Sequence, residues 1–534
     1  MLSLPSFNSR DLMALSFCGG LLVIFALVGS IIRRSKATKL AGPRRTSWLW
    51  GYTRVLLAGV SGDYFEGWQK EFGDVYRLPS AVGGEETVFM DSRAISYIFN
   101  TNAYNFIRHQ GGRNVIKRMV GGGILTAEGD SHRRHRKSMS PGFNVASIRF
   151  FTTIFLEATY KVRDRWLAMM VSEGTGKEFV LNVEHCIAEN QTRLNAISFD
   201  SIGEAGFSHD FKCMEAKPPA IVNTFTSMGK NSGDLASIIA ITLVQVLPWV
   251  AFLPLGRNVA FDQMQIGMSS IAKGFLKDRK AVTREVSDER RSLVASILKA
   301  ENHSLTQEDV IAEINTLLLA GFETTSTSMA WCLHELSMNP RVQQKLRDEF
   351  AKFPEPTHEQ LAAEMPYLNA VAQETLRTHP AVPQVPRQAI KDDSVPLQNP
   401  ITTASGQVVD HIEVRAGQSV LIPIEAMNRS SLIWGPDSHE FKPERWLDGN
   451  LPKKVTDIQG FHHLLTFIDG PRNCIGKNFA VAEFKAAISV LIRNFSFAPL
   501  NDGSDVHRVL TLVQRVRTKG QDGLLLRVSK VEVD

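Results

Sequence analysis

Cysteine is scarce. Cys18, Cys186, Cys213, Cys332 and Cys474 are scattered over 534 residues with no CxxC pair, which excludes a zinc ribbon, argues against a disulfide framework and points to a reducing compartment. No G-x-G-x-x-G follows a strand-like stretch, so no flavin or nicotinamide fingerprint is recognisable. Charge of one sign is not in excess either. Sixty Lys+Arg stand against 55 Asp+Glu, too even a balance to demand a nucleic-acid partner. Repeats and low-complexity tracts are missing, and 43% hydrophobic with 22% charged residues is a globular composition.

Long apolar runs are missing too, with one exception. Leu12 to Ile32 is 21 residues without a charge, which as a helix spans roughly 30 Å, the thickness of a bilayer's hydrocarbon core. Arg33, Arg34, Lys36 and Lys39 follow at once, so the positive-inside rule leaves the rest of the chain on the cytoplasmic side. The run exceeds the usual core of a cleaved signal peptide, and no small-x-small site precedes the basic cluster. The expected organisation is a transmembrane anchor over 1–34, a basic connector with Gly42-Pro43 over 35–50, and one large domain over 51–534.

Within that body, "GDVYRLP" and "ETVFMD" read as strands. Thr306 with Asp309 forms an N-terminal capping pattern that opens a long helix from about Gln307 to Leu336. A second helix fits Tyr367 to His379, halted by Pro380. Short extended segments fill Pro383 to Arg429, another helix starts after Gly476, and "GLLLRV" near the C-terminus reads as a strand. Helices dominate: the fold class is mainly α with small β-sheets.

The segment "FIDGPRNCIGKNFA", Phe467 to Ala480, holds two competing chemistries. A phosphate loop needs four residues between its first glycine and Gly-Lys, then Ser or Thr for magnesium. Here five residues separate Gly470 from Gly476-Lys477, and Asn478 follows; the cradle is out of register and the metal ligand is missing. The thiol reading fits better. Gly470 and Gly476 let the backbone approach a flat object and aim amide N–H groups at the Cys474 sulfur. Arg472 offers a fork of donors to a carboxylate, and Phe467 shields the sulfur. A thiolate beside a planar, carboxylate-bearing group describes a haem ligand.

Phe467, Gly470, Arg472, Cys474 and Gly476 closely resemble the haem-binding loop of the cytochrome P450 family. Four further motifs agree: "AGFETT", Ala320 to Thr325, resembles the oxygen-binding stretch of the family's central helix. "ETLR" is similar to its E-x-x-R pair, Glu374 and Arg377, and "FKPERW" to the segment whose arginine, Arg445, completes a structural cluster. "PQVPR" resembles the turn whose arginine, Arg387, points at the haem edge. Taken singly, E-x-x-R is ordinarily a solvated i,i+3 ion pair, and Thr324 could simply bond back to a helical carbonyl. The resemblance is densest over residues 300 to 485 and reaches back to "SHRRHRKSMSPGF".

The resemblance implies a P450-type domain behind the anchor, holding haem b with Cys474 as axial thiolate. Ala320-Gly321 would leave room for dioxygen, Thr324 would hydrogen-bond it and relay protons, and Glu323 would link that relay to water. Arg387, Arg472 and Arg136 are the implied partners of the propionates. His132 stands where the family usually has Trp, which predicts a pH-dependent grip on the cofactor; Ile468 is a second departure, where a small or polar residue is common. The implied activity is insertion of one oxygen atom from O2 into an apolar small molecule, with a terpenoid or other secondary metabolite as first expectation and a steroid or fatty acid as others. Electrons would come from a separate NADPH-cytochrome P450 reductase, with cytochrome b5 as an optional donor, at the endoplasmic reticulum membrane. Two alternatives stand: a same-fold enzyme that uses or rearranges peroxides without a reductase, and a non-catalytic haem-binding membrane protein.

Overall fold

The computed structural model describes residues 37–532 apart from 57–60, 173–177, 184–193, 214–234, 255, 278–292, 302–303, 450 and 522. The expected anchor over 1–34 lies outside the described residues. Among those described, no helix is long and apolar enough to cross a membrane.

Helices dominate, as the periodicity predicts, and one helix organises the rest. Gln307–Met338 opens on a capping box: the Thr306 hydroxyl accepts from the Asp309 amide at 3.2 Å while the Thr306 amide donates to the Asp309 carboxylate at 2.9 Å. Two orphan N–H groups are thereby satisfied. Between Val310 and Ser337 only Ala320 is exposed, so this helix runs through the interior. Leu194–Phe207 packs across it, with Phe199 edge-on to Phe322 at 5.2 Å. The helix Lys477–Asn494, which begins directly after Gly476, is held against Val145–Ser172 by Phe479, 4.7 Å from Phe155.

Sheets sit at the margins. Five strands, in the order Val75–Pro79, Glu85–Phe89, Ser419–Ile422, Val385–Ala389 and Phe106–Ile107, make the largest. The first two are antiparallel with Val75 opposite Phe89, and the second and third are parallel. A terminal hairpin pairs Val506–Leu510 with Gln514–Thr518, and "GLLLRV" supplies Leu525–Lys530, the middle strand of a three-stranded sheet. The apolar side chains form two main clusters, one between the helices and one beneath the five-stranded sheet.

The described part of the connector is not a free tether. Ala404 donates its amide to the Lys39 carbonyl at 2.9 Å, Arg77 to that of Ala41 at 2.9 Å, and Arg45 reaches the carbonyls of Ser80 and Gly84 at 2.9 and 2.7 Å. Residues 37–50 are strapped onto the sheet region.

Candidate active site

The loop before Lys477–Asn494 is folded by its own backbone. Gly470 has φ +73°, a left-handed conformation, and a Cβ there would lie 2.0 Å from the Phe99 carbonyl oxygen; only glycine fits. The Cys474 amide donates to the Phe467 carbonyl at 2.9 Å, closing the loop around the thiol. Phe467 packs edge-on to Phe461 at 5.3 Å, and Lys477 sits 5.9 Å from the same Phe461 ring. Ile468 takes φ +58°, costly for a β-branched side chain, so the departure noted in sequence is a point of local strain.

The Cys474 side chain is accessible, yet the surrounding protein pushes its pKa up by desolvation; the Gly476 N–H aimed at the sulfur, then Arg136 and Lys477, pull it back.

Cations gather nearby. Arg472 ion-pairs with Glu128, donates from Nε to the Ala103 carbonyl at 3.3 Å and lies 4.9 Å over Tyr104. Arg387 is buried, and its pKa falls to about 9 through desolvation and then repulsion from Arg108 and Arg472, against which only Glu128 acts. Arg108 is lowered too, by desolvation first, with Glu128 opposing and Arg472 adding to the shift. Arg472 holds Glu128, and Arg387 and Arg108, both lowered by burial and like charge, leave positive charge in excess here, which suits further anions. Of the implied propionate partners, Arg387 and Arg472 join this group. Arg136 lies on the other side of the thiol loop, donating to the Asn473 carbonyl and side-chain oxygens. Arg108 was missed: it stands outside every motif, and proximity alone recruits it.

His132 hydrogen-bonds the Tyr104 hydroxyl at 3.1 Å. Desolvation, then Arg472 and Arg136, lower its pKa to about 4. Within the chain its ring is engaged with Tyr104, and the pH dependence expected of it falls in the acid range.

On the central helix, Ala320 and the half-buried Gly321 and Thr324 form the accessible face. Thr324 Oγ1 donates to the Ala320 carbonyl at 2.7 Å, the back-bond an ordinary helical threonine makes. A Cβ on Gly321 would meet Ile202 at 3.0 Å, so this glycine also answers to helix packing. Glu323 is buried and ion-paired with Arg515, whose Nε lies 3.0 Å from Oε1. That partner comes from the terminal hairpin, where no motif marks it.

Glu374 and Arg377 are wholly buried. Arg377 grips both carboxylate oxygens at 2.8 Å and donates its remaining hydrogens to the carbonyls of Asn428, Ser438 and Glu440. Arg445 Nε at 3.0 Å, the Trp446 indole at 2.9 Å and the Lys442 amide at 2.8 Å complete the shell of Glu374. The expected three-residue cluster is a closed network.

A cavity of about 1230 Å³ opens beside Arg387, with Val115, Ile116, Ile241, Val244 and Leu512 in its wall. Gly112 and Gln245 also line it, whereas residues 317–320 and 381–385 do not.

These residues fit a haem. Among the described residues no three His, Cys, Asp or Glu are grouped to hold a bare metal ion; one accessible thiol suits an iron whose in-plane ligands come from a macrocycle, and the excess of guanidiniums suits its two carboxylates. At Gly476 a Cβ would meet only Phe143, at 3.7 Å, so the protein itself does not require glycine where a cofactor face would.

A family model described as cytochrome P450 matches residues 41–518. Cytochrome P450 monooxygenase claP of Ampulloclitocybe clavipes is 39% identical over 95% of the chain and 96% of that protein. Cytochrome P450 monooxygenase claU of the same organism is 40% identical over 95% of both chains, and cytochrome P450 monooxygenase 205 of Postia placenta is 33% identical over 93% of both.

Proposed function

The chain belongs to the cytochrome P450 monooxygenase family, and from that premise we propose that it hydroxylates or epoxidises an apolar small molecule, a terpenoid or related secondary metabolite first, with electrons from a membrane-bound NADPH-dependent reductase. The family implies a haem iron cofactor, which when bound supplies the chemistry that puts one oxygen atom of O2 into substrate and releases the other as water. Cys474 would be its thiolate ligand, with the Gly476 N–H tempering the sulfur's charge. Arg387, Arg472 and Arg108 would hold the propionates. Thr324 must exchange its bond to the Ala320 carbonyl for one to the oxygen site, and Glu323 would resupply the proton that Thr324 passes on. The carrying observation is the accessible thiol in a packed loop that also carries Arg472, ion-paired with Glu128.

The apolar wall of the cavity favours a hydrophobic substrate. Trp48 and Trp249, 64% and 57% exposed, lie close to cavity-lining segments, which supports a mouth facing lipid and, with the apolar run at 12–32, a seat on the endoplasmic reticulum.

The reduced carbon monoxide spectrum tests the reading: the long-wavelength thiolate band is expected in the full chain and lost in Cys474→Ala. Its absence from the parent protein, or full activity in Cys474→Ala, would overturn the assignment. Turnover with hydroperoxide but none with NADPH and reductase would favour the reductase-free alternative. Spectral titration with farnesol, testosterone and lauric acid separates the substrate classes.

A further inference from the structure

The terminal hairpin touches both the large cavity and the central helix. Its turn, Thr511 and Leu512, lines the large cavity. The strand leaving that turn carries Gln514 and Arg515 inward. The Gln514 carbonyl accepts the Trp331 indole N–H at 2.9 Å, its amide donates to the Ala381 carbonyl at 2.8 Å, and its side chain donates to Glu425 at 3.0 Å. Arg515, 2% exposed, donates from Nε to Glu323 Oε1 at 3.0 Å and from Nη2 to the same oxygen. The hairpin is thus fastened to the central helix at Trp331 and at Glu323, the residue before Thr324. Arg515 follows Leu512 by three positions, about 10 Å of extended backbone.

A buried ion pair is a poor way to gain stability, because desolvation offsets its attraction and apolar replacements are often neutral. It does fix geometry: both donors converge on one carboxylate oxygen. We propose that Arg515 is a positioning residue for Glu323, and that the hairpin turn makes the placement of this acid depend on whether the cavity is filled. The inference rests on the reading of Glu323 and Thr324 as a proton relay. A seated substrate presses the turn, the strand carries the displacement to Arg515, and the carboxylate is set where it resupplies Thr324. The productive reaction is RH + O2 + NADPH + H⁺ → ROH + H2O + NADP⁺. With the acid misplaced, the same electrons leave as O2 + NADPH + H⁺ → H2O2 + NADP⁺.

The test uses full-length holoprotein with reductase and farnesol, or testosterone or lauric acid where that gives the larger spectral shift. In Arg515→Met the binding constant from the spectral titration stays within about twofold, while product per NADPH falls about 10- to 100-fold and peroxide rises to match, the scale expected for an ångström-sized misplacement. Arg515→Lys restores most of the coupling. Leu512→Ala lowers coupling in the parent but adds nothing in Arg515→Met. Unchanged coupling in Arg515→Met overturns the proposal, as does additive loss with Leu512→Ala. Should Arg515→Met fail to hold haem, Arg515→Met/Glu323→Gln lacks both buried charges and is compared with Glu323→Gln: equal coupling supports the proposal, and a further loss overturns it. A parent protein with no thiolate band or no reductase-dependent product would instead remove the reading beneath it.

Discussion

Gly470 and Gly476 share one loop and answer to different neighbours. At Gly470 the backbone is left-handed and the Phe99 carbonyl occupies the Cβ position. Gly470→Ala should therefore cost at least about 2 kcal/mol, seen as a lower denaturation midpoint with or without haem. At Gly476 the nearest atom to a Cβ is Phe143 at 3.7 Å. Gly476→Ala should leave the cofactor-free protein within about 0.5 kcal/mol of the parent yet release haem faster, measured by transfer to apomyoglobin. Both glycines were legible as a pair in the sequence; which one serves the fold and which the cofactor depends on what lies beside each. His132 carries a pH prediction. Its folded pKa of about 4 lies below the ordinary 6.5, so between these values the unfolded state binds more protons. Stability should fall as pH drops from about 6.5 to about 4, and His132→Gln should flatten that slope in thermal melts.

At the scale of elements, the helix Pro366–Thr378 is locked by what its last turns hold. The E-x-x-R spacing announced Glu374 and Arg377, because i and i+3 share a helix face. It did not announce the Trp446 indole, the Lys442 amide or the three carbonyls that complete the network, since these arrive from 51 to 72 residues away. Removing the carboxylate would strand the buried Arg377 and leave Arg445 short of a partner. Glu374→Ala is expected to cost about 3–5 kcal/mol, read from urea unfolding or from failure to accumulate holoprotein, whereas Arg445→Lys, which keeps a cation at the better-connected edge, should cost less. The central helix shows the same division. Its capping box and length follow from local chemistry, while its exposed face at Ala320 exists only because neighbouring helices bury the rest.

For the whole molecule, residues 37–50 bind the start of the described chain to the sheet region through Lys39, Ala41 and Arg45. A chain begun at residue 35 should keep the carbon monoxide spectrum and melt close to the full-length protein. One begun at residue 51 loses at least these four hydrogen bonds, each worth about 1 kcal/mol net, and should melt markedly lower. The same strap puts Ala37 to Leu40 in the lining of the cavity.

What the sequence determined by itself is the chemistry available: one thiol framed by glycines, a helix with an acid and a hydroxyl in adjacent positions, and a chain led by a bilayer-length apolar run. Such signals survive in one dimension because turn geometry, helix periodicity and bilayer thickness are local constraints. Only tertiary structure decided that Arg108 joins Arg387 and Arg472, that Arg136 holds Asn473, that the environment of His132 drives its titration far below neutrality, and that Arg515 reaches Glu323 across 192 positions. Electrostatics and desolvation depend on distance through space and on what excludes water, and neither quantity is written in the order of residues.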